Sequence, residues 1–336
     1  MAPHLTLSID EPSQIGEARR AAVRLADEMG FDEVTSGRVA LVVTELGTNL
    51  VHHSERGLML LASREVGSQR VVEILSLDHG PGMADVGSCL QDGFSTSGTA
   101  GTGLGAVQRL ADDFSVFSMV GKGTVIAARV TSRAAMDAAT AVPPRFATGA
   151  ICVAAPGETV CGDGWSFRSK EHKAALMVAD GLGHGPVAAE AANAALKVFE
   201  TMAAGSPSQV LERAHVALRS TRGAAVAVAE LDVVAGTVVF SGAGNIAGRL
   251  ISGVEDHALL SQHGTVGLQI RRLQDVQYAW PAHAILVLHS DGIVSRWNLG
   301  DAVGLLQCDP AVIAGWIIRD HCRGRDDATV VVVRAL

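Results

Sequence analysis

The sequence predicts an α+β protein built in two parts, an α/β sandwich followed by a β-sandwich flanked by helices. Three observations predict it. The chain has 336 residues, beyond the roughly 100–200 of one domain. The pattern breaks once, over 131–146 (TSRAAMDAATAVPPRF), where an Ala/Thr-rich run ends in Pro143-Pro144, a pair that cannot continue a helix and favours an extended linker. Before the break helical and strand periodicities mix. After it strands outnumber helices and the helices cluster, the pattern of sheet packed on sheet with helices outside. The predicted domains are 1–133 and 147–336, joined by a linker over 134–146, and neither shows a short internal repeat.

In the first part, LTLSI reads as a strand. Ser13 is a plausible cap for a helix carrying Ile15, Ala18, Ala22, Val23 and Leu25 at helical spacing, and a second helix runs from about Val34 to Ser54. Two strands follow, LMLLASREV and RVVEILSLD, the second ending in Asp78 and a Gly/Pro turn. A polar stretch from Asp92 to Gly105 leads into a short helix, and FSVFSMV-GKG-TVIAARV reads as a hairpin turned by Gly121-Lys122-Gly123. The second part reads as strand (ATGAICVAA), glycine loop, strand (AALMVAD), glycine loop, then helices over 186–204 and 207–220. Strands AAVAVAELDV, TVVFSGA, IAGRLI and HAILVLHSD come next, then helices and a last strand ATVVVVRAL.

Apolar residues at 48% and charged residues at 18% exclude a disordered or collagen-like chain, and aromatics at 4% leave the cores to Ala, Val and Leu. The net charge of −8, from 35 acids against 27 bases, argues against nonspecific binding to nucleic acid or an anionic membrane. The five cysteines, Cys89, Cys152, Cys161, Cys308 and Cys322, include no C-x-x-C pair, which speaks against a disulfide framework or zinc site and for a reducing cytoplasm. No signal peptide is read at the start, and no apolar run approaches the ~18 residues of a membrane span.

Three features of the first part point to a nucleotide. Glu45 and Asn49 stand at i and i+4 inside the apolar run ALVVTELGTNLV, so they share a helix face, where a carboxylate and an amide can hold hydrated Mg²⁺ and orient a hydroxyl. Asp78-His-Gly80-Pro-Gly82 ends a strand, where the acid can accept from an exocyclic amine. Gly101-Thr102-Gly103-Leu104-Gly105 opens a helix, exposing N–H groups to phosphates. Singly these read as a solvated helix face, a turn acid and a glycine turn.

Together the order E-L-x-x-N-x-x-x-H, D-x-G-x-G, G-T-G-L-G and G-x-G-T resembles the GHKL ATPase fold, and within it the anti-sigma-factor serine kinases of the RsbW/RsbT type, over about residues 5–131. The resemblance implies that Glu45 is the general base that activates a protein serine and that Asn49 binds Mg²⁺. It implies that Asp78 reads the adenine amine and that Gly80, Gly82, Gly101, Thr102, Gly103, Leu104 and Gly105 shape the pocket and phosphate lid. Thr124 would support the adenine end. His53 matches a family position, and reads equally as a packed helix histidine. The stretch Asp92–Gly105 would order around ATP and so act as a gate.

In the second part four acids stand beside glycines or at loop positions: Asp163, Asp180, Asp291 and Asp326. Asp180 and Asp291 end apolar strands, and carboxylates at the ends of neighbouring strands can converge on one rim of a sheet. Hard oxygen donors suit Mg²⁺ or Mn²⁺, and two such ions can activate water for in-line attack on phosphorus. Singly each D-G pair reads as a turn. The order G-D, A-D-G-x-G-H-G, S-D-G and D-D-x-T resembles the metal-dependent serine/threonine phosphatases of the PPM superfamily, in their SpoIIE/RsbX branch, over about residues 146–336. That resemblance implies that Asp163 and Asp180 bridge two metals, with the Gly181 carbonyl, Asp291 and Asp326 completing the set. Asp327 falls where the superfamily often has Asn. His184 reads as a loop-packing residue rather than a proton donor. Cys161 is given no nucleophilic role, and no phosphate-gripping arginine is assigned.

The sequence therefore predicts a cytoplasmic, bifunctional partner-switching regulator of stress signalling. It would join an ATP-binding serine/threonine kinase-like domain to a Mn²⁺/Mg²⁺-dependent phosphoserine/phosphothreonine phosphatase, acting on a STAS-domain (anti-sigma-antagonist) protein, with homodimerisation left open. Two rivals stand beside it: a non-catalytic, ATP-dependent anti-sigma module that sequesters its partner, fused to an active phosphatase, and a phosphatase domain kept only as a sensor.

Overall fold

The computed structural model describes all residues except 1–2, 55, 67–68, 92–102, 133–143 and 203. The chain divides into two compact units. One holds residues 2–142 together with 307–319, and the other holds 143–306 together with 320–336. Most of the predicted linker lies outside the described residues.

In the first unit, strand β1 (Leu5–Ser8) leads to helices α1 (Pro12–Glu28) and α2 (Glu33–His53). The predicted Ser13 cap is displaced: α1 starts at Pro12, whose missing N–H costs nothing there, and the Gln14 side chain takes the Glu11 N–H at 2.8 Å. Asp32 caps α2 by accepting the Thr35 N–H at 2.8 Å. Next come β2 (Leu58–Val66), β3 (Gln69–Leu77), the short α3 (Val86–Cys89), α4 (Gly103–Leu110), β4 (Asp113–Met119) and β5 (Gly123–Thr131). The antiparallel sheet runs β1-β2-β3-β5-β4. One face, carrying Met59, Leu61, Val72, Ile74, Ile126 and Ala128, packs on buried Ala22, Val39, Val43 and Leu46 of the helices. The 3.6-residue period of α2 and the two-residue period of the strands produce this layer.

The other face of this sheet is also buried, which the sequence reading did not anticipate. Helix α7 (Pro310–His321), encoded nearly two hundred residues later, covers it near the β4–β5 edge. Trp316 meets Phe117 edge-on at 4.9 Å between ring centroids. Asp309 makes a two-pronged pair with Arg129 at 2.8 and 2.9 Å, and its N–H donates to Ser115 Oγ at 3.3 Å. On the same face Glu73, 2% exposed, lies 2.8 Å from Arg64 and 2.7 Å from Arg129. Burial alone would raise the Glu73 carboxyl, but the two guanidinium groups and His4 outweigh it and hold it well below its usual range. A depressed acid contributes stability above its unfolded value that is lost as pH falls through the folded one. We expect Glu73→Ala to cost about 3 kcal/mol, because buried Arg64 loses its carboxylate partner while Arg129 keeps Asp309, and to reduce the fall in stability that denaturant titrations should show as pH drops below about 4–5.

In the second unit two antiparallel sheets face each other. One runs β15 (Val276–Ala279), β10 (Thr237–Ala243), β9, β8, β7 and the other β12 (Asp256–Leu259), β11 (Ala247–Ile251), β16, β17, β6. The strands that matter for the site are β6 (Phe146–Val153), β7 (Asp163–Lys170), β8 (Lys173–Gly181), β9 (Ala224–Asp232), β16 (Ile285–His289) and β17 (Ala328–Ala335). Leu176, Val178, Ala227, Phe240, Leu286 and Val331 are among the residues that fill the space between the sheets. Helices α5 (Pro186–Thr201) and α6 (Pro207–Ala217) lie outside the first sheet on Met177, Val226 and Val228. At β7 the structure has a strand where the sequence predicts a glycine loop. Its segment DGWSFRSK is polar and glycine-flanked, and its buried positions are confined to Asp163, Gly164 and Trp165 at one end. No helix among the described residues is long and apolar enough to cross a membrane.

Candidate functional site

Glu45 and Asn49 emerge one turn apart on α2, as their spacing requires, and both face the start of α4. A methyl group at Gly103 would sit 3.0 Å from Glu45 Oε2 and 3.6 Å from Asn49 Oδ1. The Asn49 Nδ2 atom is buried without a hydrogen-bond partner among the described residues. A buried amide left unpaired is costly, so this corner fits a ligand that accepts from it. Asp78 is fixed by hydrogen bonds to the main chain of Gly80 and Thr124. Its Oδ1 accepts from the Gly80 N–H at 2.7 Å and the Thr124 N–H at 3.2 Å, and its own N–H donates to the Thr124 carbonyl at 2.9 Å. Burial raises the Asp78 carboxyl, partly offset by those N–H donors. Gly123, at φ +92°, lies so close that a Cβ would sit 2.1 Å from the Asp78 carbonyl, so no other residue fits. Thr124 Oγ1 is 2.8 Å from Ser118 Oγ.

Behind this site, Arg319 of α7 stacks on Trp316 and donates to the Asp78 carbonyl at 2.9 Å. Gly80 and Gly82 flank Asp78 as expected, and Gly105 is buried. Leu104 packs on the helix core. His53 is exposed and is not a packed helix residue. Gly101, Thr102 and most of the Asp92–Gly105 stretch lie outside the described residues.

In the second unit Asp163 is a strand residue rather than a loop residue, and Asp180 lies at the end of an apolar strand as expected. They oppose each other directly in the β7–β8 ladder, which places both carboxylates at one rim. Asp163 Oδ2 accepts from the Ser290 hydroxyl at 2.6 Å, and Ser290 Oγ in turn accepts the Thr329 N–H at 2.9 Å. Asp291 follows β16 and accepts from Asn245 Nδ2 at 2.6 Å. Asp326 precedes β17 and accepts the Asp327 N–H at 2.9 Å. A Cβ at Gly181 would lie 2.0 Å from the Ala188 carbonyl, so glycine is required where α5 crosses the strand end.

The electrostatics of this rim are strongly unfavourable without a counter-ion. Burial first, then repulsion from Asp163, Asp291 and Asp326, raises the Asp180 carboxyl. Asp163 is also raised, by burial and by Asp327 and Asp291, against the stabilising Ser290 hydrogen bond. Among the described residues no three His, Cys, Asp or Glu side chains form a ready-made cage. The donor set nevertheless fits hard divalent ions that keep part of their shell as water: all oxygen, strongly acidic, and with no basic group among the causes of the Asp180 shift.

Asp327 has a different task. Its two oxygens accept the Ala155 and Gly162 N–H groups, each at 2.8 Å, so it braces the connection that carries Asp163. His184 is not packed into its loop. Its ring is exposed, and Nδ1 lies 2.8 Å from Glu158 Oε1. Sequence reasoning missed Glu158, because nothing local links it to His184. Cys161 lies against Cys152, with sulfurs 3.3 Å apart in a buried thiol pair, and that contact, followed by burial, raises its thiol far above the usual range.

Helices on one face of an antiparallel sheet, with an acid–amide pair facing a glycine-started helix, define a kinase-like ATPase domain. A helix-flanked double sheet with a carboxylate rim defines a PP2C-type phosphatase domain. Known proteins agree. The family model for the histidine kinase-like ATPase domain matches residues 10–130, and that for Stage II sporulation protein E (SpoIIE) matches 170–336. The serine/threonine-protein kinase RsbT of Bacillus subtilis (strain 168) is 36% identical over 111 residues, 33% of this chain and 84% of RsbT. The phosphoserine phosphatase RsbX of the same organism is 27% identical over 90 residues, 27% of this chain and 45% of RsbX, so this chain spans under half of that relative. A solved structure from the bacterial stressosome, described as a modular system adapted to control secondary messenger signalling, is matched at TM-score 0.53 and 27% identity, over 57% of this chain and 100% of that one. RsbX in complex with magnesium matches in fold at TM-score 0.52 and 19% identity, over 58% of this chain and 98% of that one. The chain belongs to the RsbT-like branch of the histidine kinase-like ATPase family, fused to a SpoIIE-type phosphatase domain.

Proposed function

We propose that this protein is a bifunctional partner-switching regulator. Its first domain binds ATP with Mg²⁺ and phosphorylates a serine or threonine of a partner. Its second domain removes phosphate from phosphoserine or phosphothreonine using two divalent ions, Mn²⁺ or Mg²⁺. The observation that carries the reading is the direct pairing of Asp163 with Asp180 inside a rim of further acids. The partner is a small STAS-domain protein, a reading supported by the likeness to RsbT and to the stressosome structure.

In the first domain Asp78, pre-set by Gly80 and Thr124, accepts from the adenine amine. The start of α4, with Gly103 and Gly105, meets the phosphates, a role the family resemblance extends to Gly101 and Thr102. Asn49 holds Mg²⁺, and Glu45 takes the proton of the attacking hydroxyl. In the second domain Asp163, Asp180, Asp291, Asp326 and the Gly181 carbonyl hold the ions. When bound, these supply Lewis-acid stabilisation of the phosphoryl group and an activated water. Ser290 and Asn245 orient the Asp163 and Asp291 carboxylates, and Asp327 fixes the connection bearing Asp163.

The test is hydrolysis of p-nitrophenyl phosphate by the purified protein with Mn²⁺, with and without chelator. Intact-mass measurement of a STAS-domain protein incubated with ATP runs beside it. Mn²⁺-dependent turnover and a phosphate-sized mass gain are expected. Turnover without mass gain would leave the first domain a sequestering module, and no turnover by a folded protein would sink the phosphatase reading.

A further inference from the structure

Ser290 serves two acids of the phosphatase rim at once. Its hydroxyl donates to Asp163 Oδ2 at 2.6 Å, and its carbonyl belongs to the planar peptide unit that leads into Asp291. Holding that one peptide therefore restrains both side chains. The hydroxyl oxygen accepts the Thr329 N–H at 2.9 Å, which leaves the hydroxyl proton for Asp163.

The peptide is held from behind by a histidine. His289, buried at the end of β16, lies with Nδ1 2.8 Å from the Ser290 carbonyl and Nε2 3.2 Å from Nε1 of Trp297. The same carbonyl accepts the Ile293 N–H at 3.3 Å, a longer bond. The partners assign both ring nitrogens. A carbonyl only accepts, so Nδ1 carries the proton. An indole N–H only donates, so Nε2 is bare. His289 is thus a neutral ring in a single tautomer, linking Trp297 to the Ser290 carbonyl. Trp297 is itself clamped. Arg249 of β11 lies 3.8 Å over its ring, donates to its carbonyl at 2.8 Å and is held by Asp256 of β12 at 3.0 Å. The His321 ring stacks against it at 5.9 Å between centroids. An indole held in this way keeps its N–H aimed at His289.

We propose that His289 and Trp297 are positioning residues for the phosphatase metal rim. Trp297 orients His289, and His289 fixes the Ser290–Asp291 peptide that aims Asp163 and presents Asp291. Both act through Ser290, and neither is a ligand or a catalytic residue. The proposal rests on the phosphatase reading, which supplies the metal site. Partners that orient metal-binding groups typically govern metal affinity or activity by about 10- to 100-fold.

The experiment uses the full chain and the variants His289→Phe, His289→Asn and Trp297→Phe. Mn²⁺ is titrated calorimetrically, and turnover of p-nitrophenyl phosphate is read beside it. Phenylalanine at 289 keeps a ring and loses both nitrogens, whereas asparagine keeps a donor near the place of Nδ1. Trp297→Phe removes only the indole donor. His289→Phe is expected to weaken Mn²⁺ binding about 10- to 100-fold and to lower kcat by a similar factor. KM and the ATP affinity of the first domain should stay within about threefold. His289→Asn is expected to recover most of the Mn²⁺ affinity, and Trp297→Phe to lose less than His289→Phe. Nitrogen-15 spectra of the histidine-labelled chain, assigned by the signal lost in His289→Asn, are expected to show the His289 ring protonated on Nδ1. Protonation on Nε2 would overturn the proposal. So would wild-type Mn²⁺ affinity in folded His289→Phe, or an equal loss in His289→Asn, which would reduce His289 to packing. Should His289→Phe not fold, the tautomer and the Mn²⁺ affinity of Trp297→Phe decide, and wild-type affinity there would remove Trp297. His289-dependent Mn²⁺ binding without turnover would sink the phosphatase reading and leave the positioning role standing. A wild type that binds no Mn²⁺ would sink both.

Discussion

Metal-dependent hydrolysis is expected to fall by roughly a thousandfold in Asp180→Asn, about 4 kcal/mol of transition-state stabilisation, while ATP binding by the other domain stays unchanged. Asp180 sits opposite Asp163 and is repelled by Asp163, Asp291 and Asp326 together, so it is the acid whose charge most needs an ion. The same fact gives a second readout that needs no substrate. An acid whose folded-state value is raised costs stability as pH rises from the usual carboxylate range through that raised value, because the fold must then hold an unfavourable charge. Metal-free wild type should therefore melt lower at pH 8 than at pH 5, and metal-free Asp180→Asn should show a shallower slope and melt a few degrees higher at pH 8. Mn²⁺ should raise the wild-type melting temperature markedly and the variant's little. Unchanged hydrolysis in Asp180→Asn, or the same Mn²⁺ shift in both proteins, would remove Asp180 from the metal site.

Glu45→Ala is expected to retain ATP affinity within about threefold and to lose phosphoryl transfer by about 10²–10⁴, the usual contribution of a general base. Its carboxylate faces the start of α4 beside Asn49, one turn along α2, the end that the proposed function gives to the phosphates, with Asp78 given the adenine. Equilibrium nucleotide binding and the intact mass of a STAS-domain partner separate the two effects. Full transfer in the variant would rule out the base role, and loss of nucleotide binding would make Glu45 structural.

The parts of the site that were legible share one property: their residues are close in sequence. Glu45 and Asn49 had to share a face because four residues make about one helical turn. Asp78, Gly80 and Gly82 had to form a strand-end turn. Asp291 and Asp326 stand beside strands whose apolar runs are unmistakable. Where reading failed, the deciding partner was remote. Asp163 looked like a loop residue because β7 carries little local strand signal, and only its ladder with β8 makes it a strand residue. His184 looked packed until its loop placed it in solvent against Glu158, 26 residues away.

The sequence by itself determined the two-domain α+β architecture, the helix and strand periods, and which acids, amide and glycines are the candidates at both sites, because each is written in spacing or chemical type over a few residues. Tertiary structure alone decided which residues meet. It set Asp163 against Asp180, and tied Asp327 by two N–H donors to distant backbone. It laid α7 over the first domain's sheet, with Asp309 on Arg129 and Arg319 on the Asp78 carbonyl. The physical reason is that these contacts span up to 241 residues. They are selected by the burial of whole apolar faces and the pairing of buried charges, which no local period or propensity encodes.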